Sequence, residues 1–224
     1  MTGPSRALRP APVEVVDLPD AAGARAACAW RFDAPRAALS SAPVGGGSAA
    51  VDWLLNIGVP AGYDRTDLDD HARDVATRLG LAGTGAAMLT AVDVHRTVRA
   101  EDGGVVVDAT VGVTKPTWAA DVDGAHGRRV EGAWEPGTIN VVVQLPVALS
   151  AAAAVNAVIT ATEAKAQALF EAGVPGTGTA SDAVTVVWPP TVPAEPFAGP
   201  RSTWGARLAR AVHAAVRDGL DRHP

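Results

Sequence analysis

Residues 150–172, SAAAAVNAVITATEAKAQALFEA, limit what this chain can become more than any other segment. Ser150 opens the run and Gly173 and Pro175 close it, the residue types that cap a helix at its start and stop it at its end. The spacing predicts one long helix. Its only charges are Glu163, Lys165 and Glu171, so most of its circumference is expected to be covered by protein. Yet Asn156, Thr160, Glu163 and Gln167 recur at steps of 4, 3 and 4, which puts them on one side of the helix. A narrow polar stripe on a largely buried helix needs partners, and a ligand pocket is one place to find them. Two Gly- and hydroxyl-rich segments lie on either side in sequence, GTIN at 137–140 and GTGTASD at 176–182.

The rest of the chain supplies elements for this helix to pack on. TINVVVQLP (138–146) is the clearest buried strand and runs straight into the helix, and DAVTVVW (182–188) is another strand after it. Earlier strands are expected at 13–17, 26–33, 37–41, 85–94 and 104–114, the last two separated by a turn near AEDGG. APVGGGSAAVDWLLNIGVP (42–60) begins as a turn and ends apolar. TDLDDHARDVATRLG (66–80) has helix periodicity, and residues 203–220 form an amphipathic helix with Trp204, Leu208, Ala211, Val212 and Ala215 facing inward. A long polar stretch at 115–137 and a Pro-rich connector at 189–200 complete the pattern. No repeat or composition break marks a linker. The fold class is therefore α+β, or α/β with a mixed sheet: a flexible arm over 1–12 and one domain over 13–224, its central strands packed against the 150–172 and 203–220 helices.

Composition excludes several partners. The apolar fraction of 48% and net charge of -5 over 224 residues are those of a globular chain with room for a sizeable core. An acidic pI near 5.5 and the lack of a basic cluster argue against nucleic acid. The single cysteine, Cys28, rules out an internal disulfide or a thiolate metal cage, and within AACAWRF it reads as a small buried hydrophobe. The N-terminus has no signal-peptide core, and no run reaches the roughly 18 apolar residues needed for a membrane span. The expectation is a cytoplasmic protein.

Several constellations carry chemistry in principle. Glu163 falls at the edge of the apolar face near Ile159 and Phe170, where partial desolvation would raise its pKa and suit it to general acid–base work. Lys165 points about 200° away around the helix, so the two do not pair. GTGTASD offers backbone N–H groups, the hydroxyls of Thr177, Thr179 and Ser181, and the carboxylate of Asp182; with no lysine after the glycines it is not a Walker loop. DVHRTV (93–98) approaches the Asp-x-His-x-x-Gly pattern that supplies a histidine to cobalt in some corrinoid proteins, but Val98 replaces the glycine. Asp67, Asp70, His71 and Asp74 read as a solvated helix face rather than a metal site. His126 lies in the long loop, and His213 falls on the outer face of the last helix. No G-x-S-x-G elbow is present.

Taken in order, LSSAPVGGG (39–47), LLNIGVP (54–60), MLTAV (88–92), GTINVVV (137–143), ITATEAKAQAL (159–169), GTGTASDAV (176–184) and FAGPRSTWGARLARAV (197–212) resemble the adenosylcobinamide amidohydrolases of corrinoid salvage. The succession GTIN, TEAK, GTGTxxD and AGxxxxxG is its most specific part. Ser181 stands where that pattern more often has threonine. The resemblance implies hydrolysis of the amide joining a corrin propionate to aminopropanol, giving adenosylcobyric acid and 1-amino-2-propanol. On this basis Glu163 is expected to serve as general base and then protonate the leaving amine, and Asp182 to orient water or the leaving hydroxyl. Thr138, Asn140, Asn156, Thr160, Lys165, Thr177, Thr179 and Arg201 are expected to bind substrate, with backbone N–H groups of GTGT or GTIN holding the oxyanion. A covalent route through Thr179 or Thr138 competes with direct attack by water. No cofactor or metal ligand set is expected beyond the cobalt the substrate carries. The partner is a small-molecule corrinoid, and the sequence assigns no oligomeric state. A non-catalytic corrinoid-binding protein and an amide hydrolase of another substrate are the two other readings.

Overall fold

The computed structural model describes residues 9–19, 23–122 and 137–222. Most of the 115–137 stretch, with His126, and the first eight residues of the arm lie outside them. The elements run β1 (Glu14–Asp17), β2 (Ala26–Ser40), β3 (Gly47–Gly58), α1 (Leu68–Arg78), β4 (Gly85–Thr90), β5 (Val98–Asp102), β6 (Val105–Val111), β7 (Ile139–Gln144), α2 (Ala151–Glu171), β8 (Ala183–Trp188) and α3 (Thr203–Asp221). The eight strands among the described residues belong to one mixed sheet of order β4-β3-β2-β8-β7-β6-β5, with β1 added beside β2. Pairs β3–β4 and β7–β8 are parallel, and the others are antiparallel. The architecture is the α+β domain that the order of elements suggests.

The two strands expected at 26–33 and 37–41 are one long strand. The ladder of β2 against β3 shifts register between Arg31 and Arg36, where Pro35 has no N–H to contribute. The first half of β2 pairs with β1 and the second half with β8, so the bend joins the two wings of the sheet. The sheet curls, and its concave face carries a core of Trp30, Leu54, Met88, Val142 and Val187. Strand alternation then places the other residues of β6, β7 and β8 under α2 and α3, in a core that includes Val107, Val141, Val186, Leu169 and Leu208. The convex side of the other wing packs on α1 through Leu55, Ile57 and Val75.

Helix α2 connects parallel strands β7 and β8 as a crossover. The Ser150 hydroxyl accepts from Ala153 N at 3.1 Å, and Gly173 adopts φ 73° just beyond the last turn. Its buried face is a stripe of alanines, Ala153, Ala157, Ala161, Ala164 and Ala168, which lets the helix lie close to the sheet and α3. The opposite face is open: Val155, Ile159 and Phe170 are exposed at 51%, 48% and 76%. The expectation that protein covers most of the helix is thus corrected. A helix built largely of Ala and Val has little amphipathic contrast, so its composition does not reveal which half is inward. In α3, Leu208, Ala211, Val212 and Ala215 face inward as expected, while Trp204 is half-buried.

Of the N-terminal arm, Ala11 is fixed. Its N–H donates to Gln144 Oε1 at 2.8 Å and its carbonyl accepts from Gln144 Nε2 at 2.9 Å, as one strand residue pairs with another. Cys28 is fully buried, and burial pushes its thiol up to about 11, so it is an inert core residue.

Candidate active site

Three of the ordered motifs meet on one carboxylate. Asp182 stands just before β8, and its Oδ1 accepts from the Ile139 N–H at 2.8 Å and from the Thr179 hydroxyl at 2.5 Å. Its Oδ2 accepts from the Thr179 N–H at 3.0 Å and pairs with the Lys165 ammonium. GTIN, TEAK and GTGTASD are thereby tied together at the N-terminal ends of β7 and β8. Both side chains of the ion pair are largely buried, at 7% for Lys165 and 9% for Asp182. A pair so removed from water persists because each carboxylate lone pair also has a hydrogen-bond donor. Asp182 is consequently saturated and organises the loop, whereas Lys165 has N–H donors beyond the one that Asp182 accepts.

Gly178 explains why the loop is written GTGT. A Cβ on it would run into both Asp182 Oδ2 and Lys165 Nζ, so the backbone crosses directly over the ion pair. The Thr177 N–H donates to the Thr117 carbonyl at 3.0 Å, and Thr117 N–H donates back to Gly178 O at 2.9 Å. Between Thr177 and Thr179, the N–H of Gly178 has no acceptor among the described residues. Thr138 and Ser181 share a hydrogen bond at 2.9 Å, closing GTIN onto the same loop.

Two clefts share this segment. One, of about 380 Å3, is lined by Thr117, Glu163, Lys165, Thr177, Gly178 and Thr179 among others. The second, of about 470 Å3, is lined by Ser41, Tyr63, Arg65, Asn140, Ser181 and Asp182 among others. The structure therefore brings together Thr138, Asn140, Glu163, Lys165, Thr177, Thr179 and Asp182. It places three other residues elsewhere. Asn156 is exposed two turns before Glu163, and Arg201 is exposed in the turn into α3; neither lines either cleft. Thr160 is buried and donates to the Ala198 carbonyl at 3.0 Å, a bond that joins α2 to the segment before α3.

Glu163 lies at the first cleft but not in the environment expected for it. Its apolar neighbours on the wheel, Ile159 and Phe170, are themselves exposed, and Glu163 is open to solvent. The partial desolvation expected at Glu163 is therefore absent. Gln167 donates to Glu171 Oε1 at 2.7 Å, so the polar stripe does not form one wall.

A second polar cluster was not legible as such. His71, expected on a solvated helix face, is only 1% exposed. It occupies the inward side of α1 with Ala72 and Val75, a position marked in sequence by its spacing from Leu68 and Val75. Its Nδ1 is 2.6 Å from the hydroxyl of Tyr63, the one tyrosine in the chain, and the rings stack with centroids 5.4 Å apart. Burial lowers the His71 pKa, with Arg65 adding to the effect, and raises that of Tyr63. On the concave face, Asn140 Nδ2 donates to Asn56 Oδ1 at 2.8 Å and to the Leu89 carbonyl at 2.9 Å, and Asn56 Nδ2 donates to Thr110 Oγ1 at 3.0 Å. These bonds cross between strands that are not sheet neighbours, and hydropathy alternation gives no register for such contacts. Among the described residues, no group of three or more His, Cys, Asp or Glu side chains is placed to hold a metal ion.

The site is thus a saturated carboxylate hub flanked by two clefts on a curled mixed sheet. The family model of adenosylcobinamide amidohydrolase matches residues 14–224, and the chain belongs to that family. It is similar to the adenosylcobinamide amidohydrolase of Methanosarcina mazei, at 29% identity over 190 residues covering 81% of this chain and 88% of the relative. It is also similar to the adenosylcobinamide amidohydrolase of Halobacterium salinarum, at 35% identity over 192 residues covering 84% and 82%. The fold matches the crystal structure of the PH0078 protein from Pyrococcus horikoshii OT3 with a TM-score of 0.52 and 10% identity, over 95% of this chain and 84% of that one. At that identity the likeness concerns the fold alone. No helix among the described residues is long and apolar enough to cross a membrane.

Proposed function

We propose that the chain hydrolyses adenosylcobinamide at the amide between a corrin propionate and aminopropanol, releasing adenosylcobyric acid and 1-amino-2-propanol. The observation that carries this reading is the convergence of GTIN, TEAK and GTGTASD on Asp182, within a chain whose family membership spans nearly its whole length. The reading includes a small-molecule corrinoid as partner, the substrate's own cobalt as the metal involved, and a cytoplasmic setting.

In this reading Glu163 takes a proton from water as the water oxygen bonds to the amide carbon. The carboxyl then passes that proton to the amide nitrogen as the C–N bond breaks, leaving a carboxylic acid and an amine. The Gly178 N–H and a spare N–H of Lys165 stabilise the oxyanion, since both belong to the cleft that Glu163 lines. Asp182 acts as a positioning residue, because its lone pairs are occupied by four donors. Glu163→Gln, folded as the wild type, should lose at least about 100-fold in kcat; near-wild-type turnover would remove Glu163 from the mechanism.

The 2.5 Å hydrogen bond from Thr179 to Asp182 favours one competing version, with Thr179 as nucleophile. Asp182 already accepts three other donors and has no lone pair left to take up the Thr179 proton, so attack by water is the better account. Trapping an acyl-enzyme with hydroxylamine would reverse that preference. Thr138, hydrogen-bonded to Ser181, serves the loop in either version.

A further inference from the structure

The second cleft has features that hydrolysis at Glu163 does not use. Its charges are compensated internally: Arg65 donates through Nε to Asp67 Oδ1 at 2.9 Å and through Nη2 to Asp67 Oδ2 at 2.6 Å, and Asp182 is paired with Lys165. What remains is neutral. Asn140 is 2% exposed, and its Oδ1 has no hydrogen-bond partner among the described residues although both donors of its Nδ2 are engaged. A buried acceptor in that state is destabilising until a donor reaches it.

Tyr63 supplies the complementary group. The Nε2 of His71 is buried without a partner, and a second proton there would leave a charge in the core with no acceptor. His71 is therefore neutral. An unpaired N–H is harder to accommodate than an unpaired lone pair, so the favoured tautomer carries its proton on Nδ1 and donates to the Tyr63 oxygen. The phenol proton is then not needed by His71 and is available to a ligand in the cleft that Tyr63 lines.

We infer that this cleft is a carboxamide subsite: the Tyr63 hydroxyl donates to the amide oxygen of a primary carboxamide, and Asn140 Oδ1 accepts from its NH2. His71 is the positioning residue that sets the direction of the Tyr63 proton. The inference rests on the corrinoid reading, because a corrin with amide-bearing side chains brings such groups to the site; it assigns this cleft to binding rather than to bond cleavage.

The test uses adenosylcobyric acid, which keeps the ring carboxamides and lacks the scissile amide, titrated by its absorbance. Tyr63→Phe should weaken binding about tenfold, the equivalent of one hydrogen bond. His71→Leu should weaken it similarly, His71→Asn should restore it because its amide N–H donates from the position of Nδ1, and adding His71→Leu to Tyr63→Phe should cost nothing more. Propionamide should compete for the wild-type cleft where propionate does not. Equal affinity of Tyr63→Phe and wild type, or equal competition by propionate, overturns the inference. Release of aminopropanol with unchanged Tyr63→Phe affinity leaves the hydrolase reading standing and this one refuted. Tenfold weaker binding without any aminopropanol release does the reverse, and no binding of the corrinoid at all refutes both.

Discussion

At the scale of single residues, the site depends on contacts that tolerate no extra atom. Gly178 lies against both members of the Lys165–Asp182 pair, so Gly178→Ala must push the loop off the pair. Overpacking of this kind costs about 1–3 kcal/mol, and the expected result is a lower thermal midpoint together with at least about tenfold slower turnover. A variant with wild-type melting and kinetics would show that the loop does not need its close approach. Lys165→Met removes one charge of the buried pair and leaves Asp182 without its counter-ion. The loss, about 3–5 kcal/mol, is measurable by urea unfolding and should shrink when Asp182→Asn is added. His71 gives a pH signature. Burial, and then Arg65, hold its folded pKa below the unfolded value of about 6.5, with Asp67 and Asp74 acting the other way. In the window between the two values the unfolded chain binds a proton that the folded chain does not. Stability is thus highest above about pH 6.5 and declines as pH falls through the window. From about pH 7 to about pH 5, the melting temperature should drop more for wild type than for His71→Asn; parallel curves would contradict the buried neutral histidine.

At the scale of elements, helix α2 shows how far the sequence could be read. Its existence and ends were legible because Ser150, Gly173 and Pro175 mark them chemically, and Ser150→Ala should cost about 1 kcal/mol in chemical denaturation. No change would mean that the cap is dispensable. Its orientation was not legible. Alanine is as compatible with solvent as with a tight interface, so the inward stripe of Ala157, Ala161 and Ala164 had no contrast against Val155 and Ile159. Glu163, expected at the edge of an apolar face, is open to solvent at a cleft, while Lys165, which does not pair with it, is the buried partner of Asp182. Helix α1 contains the converse case. Four charged or polar residues at helical spacing suggested a solvated face, yet one of them, His71, falls in register with Leu68 and Val75 and is buried. The Asp182 cluster was legible in part, since the loops on either side of α2 were singled out. Its wiring was not, because Asp182 is joined to Ile139 and Lys165 only by the crossover of β7 to β8.

At the scale of the whole molecule, the curled sheet accounts for the position of both clefts. The bend in β2 turns the β3–β4 wing toward β6 and β7, which brings Asn56 beside Asn140 and places Tyr63 near the loop before β8. The sheet's outer faces are closed by alanine-rich and aliphatic packing, while polar side chains gather at its inner edge. Among the described residues that line the two adjoining clefts, Glu163 is the carboxylate open to water, whereas Asp182 is buried against Lys165. On this reading the domain cleaves the aminopropanol amide of adenosylcobinamide. Incubation of the purified protein with adenosylcobinamide, followed by mass analysis of the products, tests it most directly. The expected products are adenosylcobyric acid and 1-amino-2-propanol in equal amounts, formed catalytically by wild type and at least about 100-fold more slowly by Glu163→Gln. Intact adenosylcobinamide, bound but unchanged after many enzyme equivalents, would contradict it.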